Sequence, residues 1–296
     1  MALVRVAIPH YCRETDSSRG YGSSRRGASV QRAVALSRCL GSLLALRRCS
    51  AAHILSHRRG DPFRQVVLEP NSSLGNDVIS TDLHIFVTGD SYLDSVIHVY
   101  EPFVTIHRLD LQKPMQLAAA ARDWLVHSAE SADLFLYSED DLVYADPYFI
   151  DKTLWFLHRS HHRVVLMPHR FEVDPLHPSE YLYIDGPLGV HLIDPYYLPR
   201  SGVAKGRFLA RELVEFDLAD NPHSGCFAIS EQQRAHLQKQ TLPLDGFIGP
   251  LESAATLTVL AHWPIMKPSW HQANFLQIEH AHRSFVGPAR RLRSGV

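Results

Sequence analysis

This chain of 296 residues carries almost no surplus charge: formal net charge is −1 and pI is near 7.0. So weak a field excludes the broad basic surface that draws proteins to nucleic acid, and partners are expected to be read by a local site. The four cysteines, Cys12, Cys39, Cys49 and Cys226, include no Cys-x-x-Cys spacing. Free thiols in a reducing compartment are therefore expected. No run approaches the ~18 apolar residues that a membrane-spanning helix needs. The opening "MALVRVAIPHYC" is too short an apolar run for a secretory leader. The expectation is a cytoplasmic protein without a transmembrane segment, with a peripheral place at a membrane left open. Internal repeats and low-complexity stretches are missing too.

What is present is ordinary globular sequence, 45% hydrophobic and 21% charged, long enough for one large α/β domain or two lobes. Strand-like runs occur at "VRVAIPHY", "DLHIFVTGDS", "FVTIHRLD" and "DLFLYS", with a weaker one at "QVVLEP". A helix is expected from Ser29, taken as its N-cap, with Val30, Val34, Ser37, Leu40 and Leu44 on one face. "MQLAAAARDWLVHSAE" is a second amphipathic helix, and a further crossover fits between Ser91 and Glu101. Near-continuous apolar strands separated by helices predict a mostly parallel α/β sheet covered on both faces. Beyond Asp146, "PYFIDKTLWFLHR" reads as helix and "RVVLMPHRFEV" as strand, whereas 174–200 reads as loops. "SGCFAIS" is a short strand, followed by a helix capped by Ser230 and another over "LESAATLTVLA".

The stretch "ADLFLYSEDDLVYADPYF" places Glu139, Asp140 and Asp141 directly after a buried strand. Adjacent like charges repel and lose hydration unless a cation or proton compensates them. In open parallel sheets, ligands bind at the carboxyl ends of strands. Side chains two apart in extended chain share a side, so Glu139 and Asp141 are expected to converge on one ion while Asp140 turns away. Hard oxygens of this kind suit Mg²⁺ or Mn²⁺ with a substrate diphosphate. A solvated acidic turn is the alternative.

The stretch "AAAARDWLVHSAESADLFLYSEDDLVY" resembles the nucleotide-sugar glycosyltransferases of the GT-A fold. In these a helix leads into a strand ending in an Asp-x-Asp metal motif. The resemblance covers residues 3–150 as an ordered series of elements, and 215–285 loosely. Glu139 stands where the first Asp usually does. The resemblance implies a Rossmann-like GT-A arrangement, with a nucleotide-sugar-binding half at 1–150 and an acceptor-binding half of the same domain at 151–296. It implies donor contacts from His10, Tyr11 and Arg13, and phosphate contacts from Arg19, Arg25 and Arg26. Asp90 would bind base or ribose, and Arg122 and Asp140 join the donor-binding set. Gly225, in "NPHSGCFAIS", would let the backbone approach the donor sugar.

Glu252, at a helix start in "DGFIGPLESAAT", is the implied base for the acceptor hydroxyl, with Asp245 next in line. A late histidine often completes such a metal site. His280 is chosen among His262, His271, His280 and His282, giving a metal set of Glu139, Asp141 and His280. Trp263 and Trp270 are candidates for stacking on a sugar. The function implied is metal-assisted transfer of a sugar from a nucleoside diphosphate sugar to an acceptor hydroxyl on an unidentified glycan, lipid or protein. Two rivals stand beside it: a metal-dependent nucleotidyl or phosphoryl transferase, and a non-catalytic sugar- or nucleotide-binding protein.

Overall fold

The computed structural model describes residues 1–14, 26–55, 57, 63–67, 78–193, 195, 202–209 and 213–294. The four strong strands lie in one sheet. Ala2–Pro9 is central, between Ile79–Thr88 and Leu134–Ser138, with Val104–Leu109 at one edge and Cys226–Ile229 at the other. Every pairing is parallel except that of Cys226–Ile229 with Leu134–Ser138. Ala7 pairs with both His84 and Tyr137, so the chain after Pro9 and the chain after Ser138 leave the sheet at the same rim.

Side-chain alternation along the strands feeds two cores. Val6, Ile8, Ile85 and Leu136 face the helix Ser29–Ala45. Ala7, Phe86, Phe135 and Tyr137 face Leu117–His127 and Pro250–Leu260. This double burial is why these strands are apolar almost throughout.

The first helix departs from expectation in two ways. Ala28, without a side-chain bond, is its N-cap, and Ser29 is already helical. Its buried stripe is Arg32, Ala35, Leu36, Cys39, Leu40 and Leu43, while Val30 and Val34 are 72% and 55% exposed. The apolar count misjudged the face because a charged residue occupies the inner one. Ser230 caps Glu231–Leu237 as expected, in a capping box with Gln233.

The "RVVLMPHRFEV" run splits at Pro168 into two strands that join different sheets. Val165–Leu166 pairs with Ile265–Pro268, and His169–Val173 pairs with Tyr181–Tyr183 and Gln277–His280. Gln277–His280 also pairs with Leu142–Val143, setting His280 opposite Leu142, one residue beyond the acidic turn. The loop reading of 174–200 overlooks Tyr181–Tyr183 and a short helix, Val190–Ile193. Among the described residues no helix is long and apolar enough to cross a membrane.

Candidate functional site

Glu139, Asp140 and Asp141 are 8%, 7% and 7% exposed, so this is not a solvated turn. Cations from elsewhere in the chain compensate it. Arg32 donates from Nη1 to Asp141 Oδ2 at 2.9 Å and from Nη2 to Asp140 at 2.5 Å. His10 Nδ1 lies 2.5 Å from Asp140 Oδ2, and His10 Nε2 accepts the Leu93 N–H at 3.1 Å, which places the imidazole proton on Nδ1. Burial alone would raise the Asp140 carboxyl, but Arg32 and His10 outweigh it and hold it well below the usual carboxylate range.

Asp140 therefore does not turn away from its neighbours. Alternation applies to extended chain, and residues 140–141 form a turn in which both carboxylates reach one guanidinium. His10 is corrected as well. Fully buried and engaged at both nitrogens, it orients Asp140 and has no atom left for a base or ribose.

Glu139 belongs to a second cluster. Its Oε2 is 3.8 Å from Arg170 Nη1 and its Oε1 is 4.0 Å from His223 Nε2, both beyond hydrogen-bond reach. Burial pushes its carboxyl up to about 8, with Arg170 opposing and Asp141 and Glu252 adding to the rise. Gly225, at φ +63°, gives Glu139 its space: a Cβ there would sit 2.7 Å from Glu139 Oε2. The partner expected for Gly225 is the donor sugar; what lies against it in the structure is Glu139.

His280 stands at the other end of the turn. Its Nε2 is 3.6 Å from Asp141 Oδ2, and its Nδ1 is 2.8 Å from Glu172 Oε1. Burial disfavours the imidazolium, yet Asp141 and Glu172 raise its pKa. Glu172 also accepts the backbone N–H groups of Ser284, Phe285 and Val286, pinning the segment after His280. A cleft of about 660 Å³ opens over the turn, with Tyr11, Asn221, His282 and Glu252 in its walls. Glu252 lies in the first turn of Pro250–Leu260.

The donor chemistry fits a hard divalent cation. Glu139 Oε1 and Asp141 Oδ1 are buried without a hydrogen-bond partner, and such oxygens are what Mg²⁺ or Mn²⁺ takes. The expected trio is not preassembled: among the described residues no three His, Cys, Asp or Glu side chains converge into a ready metal cluster. Asp141 and His280 are neighbours, while Glu139 faces Arg170 and His223.

Other expected residues lie elsewhere. Arg122 is buried, donating to the Pro243 carbonyl and Thr258 Oγ1, so it ties two helices together outside the cleft wall. Asp90, Arg13 and Arg26 are exposed and Asp245 is an exposed turn residue, its Oδ1 accepting the Gly246 N–H. None of the four lines the cleft. Arg19 and Arg25 fall outside the described residues. Trp263 and His262 gather with His236, and Trp270 lies tilted against His169 with ring centroids 4.2 Å apart.

The residues that sequence reasoning missed are Arg32, Arg170, Glu172, Asp185, His223 and Lys267. Arg32 did leave a trace, standing in helical register with Leu36, Cys39 and Leu43. A charge inside an apolar stripe marks a buried ion pair.

No family model matches the chain, and no curated protein matches it. Among solved structures it is similar to S. aureus TarS 1–349, with 12% identity and a TM-score of 0.44 over 90% of this chain and 58% of that one. It is similar to GalNAc-T7 crystallised with UDP, GalNAc and Mn²⁺, with 11% identity and a TM-score of 0.46 over 94% and 43%. A longer S. aureus TarS gives 10% identity and a TM-score of 0.43 over 90% and 35%. The chain thus spans between 35% and 58% of the length of these GT-A glycosyltransferases. The fold itself is a mixed α/β arrangement of several sheets flanked by helices. The likeness is one of layout, and the chemistry below rests on the cleft.

Proposed function

We propose that the protein is a glycosyltransferase that moves a sugar from a nucleoside diphosphate sugar to an acceptor hydroxyl. The observation that carries this reading is the buried acidic turn at the carboxyl rim, with two unpartnered oxygens and the guanidinium groups of Arg32 and Arg170 beside it. The rim is where parallel sheets bind ligands.

In the reaction the bond from the anomeric carbon to the diphosphate breaks, and negative charge grows on the leaving group. Arg32 and Arg170 set fixed positive charge beside that place, which acts strongly where water is excluded. Asp141 and Glu139 would hold a divalent cation, with neutral His280 as the further ligand, and that ion would supply Lewis-acid stabilisation of the diphosphate. Asp140, clamped by His10 and Arg32, keeps the Arg32 guanidinium in place beside Asp141. Tyr11 offers its ring to the nucleoside. Glu252 takes the proton of the acceptor hydroxyl as that oxygen bonds to the anomeric carbon.

The test incubates the protein with a panel of nucleoside diphosphate sugars, following sugar and nucleotide release with Mn²⁺, with Mg²⁺ and with chelator. Release of sugar and nucleoside diphosphate, lost on chelation, is the expected result. Transfer of a nucleotidyl or phosphoryl group, or binding without turnover, would overturn it in favour of one of the two rivals.

A further inference from the structure

The cleft has two unlike walls. The acidic turn and its cations form one. The other is built from two segments without a charged side chain, "PMQLA" at 114–118 and "FIGPL" at 247–251, and it ends at Glu252. The turn Pro114–Gln116 packs against the helix Pro250–Leu260, so the two segments make one continuous strip. Leu117 and Leu251 lie in this wall, and Met115 and Ile248 stand out from it, 62% and 64% exposed.

Ile248 is held there against its own backbone preference. Its φ is +55°, and among the described residues it is the only β-branched side chain in the left-handed region. That conformation is an outlier for a branched residue, and such strain persists at functional positions. Phe285 also lines the cleft, 48% exposed.

We propose that the acceptor is an amphiphile: its hydroxyl sits at Glu252, and its hydrocarbon part lies along the strip of Met115, Leu117, Ile248 and Leu251. The inference rests on the glycosyl-transfer reading of this cleft. What selects this occupant is the joining of an apolar strip to a carboxylate inside one cavity. A free sugar would leave the strip wet, and a wholly apolar ligand would offer no hydroxyl to the carboxylate at the end of the strip.

The experiment compares matched acceptor glycosides carrying a methyl or an octyl group, the latter below its micellar concentration. It uses the wild type, Ile248→Asn and Met115→Gln, and measures binding without donor by the shift in unfolding midpoint and transfer with donor by KM. Each buried methylene strengthens binding about fourfold, so three or four on the strip lower KM for the octyl form on the order of a hundredfold. Both substitutions are expected to shrink the octyl-over-methyl ratio several-fold. Asn tolerates the left-handed conformation, so Ile248→Asn should hold or raise the unfolding midpoint, which separates lost binding from lost folding. Equal binding of octyl and methyl forms, or an octyl preference unchanged in both variants, overturns the proposal. Octyl-selective binding that depends on Ile248 and Met115, with no donor turned over, leaves the apolar subsite standing and removes the transferase reading.

Discussion

Asp185 and Glu139 are both buried acids beside Arg170, and they are treated in opposite ways. Asp185 is saturated. It accepts the Arg170 backbone N–H at 3.1 Å, Arg170 Nε and Nη2 at 3.0 and 2.9 Å, and Lys267 Nζ at 3.1 Å. Burial alone would raise its carboxyl, but Arg170 and Lys267 outweigh it and hold it below the usual range. Glu139, 3.8 Å from the remaining Arg170 nitrogen, keeps one oxygen without a hydrogen bond, and so does Asp141. A buried polar group left that way costs about 1–3 kcal/mol. The saturated acid is floor, and the unsaturated pair keeps acceptor capacity that the fold does not use.

Removing the saturated acid is the strongest way to break this contrast. Asp185→Asn leaves Arg170 and Lys267 buried without their counter-charge and is expected to cost about 3–5 kcal/mol. Urea unfolding measures it, and a wild-type midpoint would show that saturation is not structural. Asp141→Asn should do the reverse. Transfer is expected to fall on the order of a hundredfold, while the midpoint stays close to wild type because Arg32 retains Asp140. Asp140→Asn should be nearly as damaging to transfer, since the two acids share that guanidinium; a mild effect would restore the outward-facing reading.

Smaller effects sharpen the picture. Gly225→Ala puts a Cβ at φ +63° within 2.7 Å of Glu139 Oε2. A loss of about 1–2 kcal/mol is expected, with donor turnover reduced about tenfold as Glu139 is displaced. An unchanged turnover would mean that the Glu139 position is not critical. The smallest effect concerns His169, whose Nε2–H donates to the Pro268 carbonyl at 2.7 Å while Nδ1 is buried without a partner. Burial, with Lys267 nearby, lowers its pKa from 6.5 to about 4. Between those values the unfolded chain binds a proton that the folded chain refuses, so stability falls as pH falls. About 1 kcal/mol should be lost between roughly pH 7 and 5.5, and His169→Phe should remove that part of the slope in a pH series of unfolding midpoints.

The parallel strands were legible because double burial leaves a continuous apolar run, and the acidic turn because three charges interrupt one. What escaped was everything set by distant pairing. Arg170 and Glu172 read as polar positions of a strand, and only the register with Gln277–His280 shows that Glu172 orients His280. Lys267 meets Asp185 across 82 residues, a separation at which spacing carries no signal. Asp140 was misread because alternation was carried one residue too far, into a turn.

The pairing of Gln277–His280 between Leu142–Val143 and His169–Val173 also bears on the order of synthesis. A nascent chain possesses its acidic turn long before it possesses His280 or the amides of Ser284, Phe285 and Val286 that lock onto Glu172. Contacts so far apart in sequence form late, after the local elements. The cleft is therefore completed only when residues 108 or more positions beyond Glu172 have been made, and a partly synthesised chain carries the acids of the site without the means to use them.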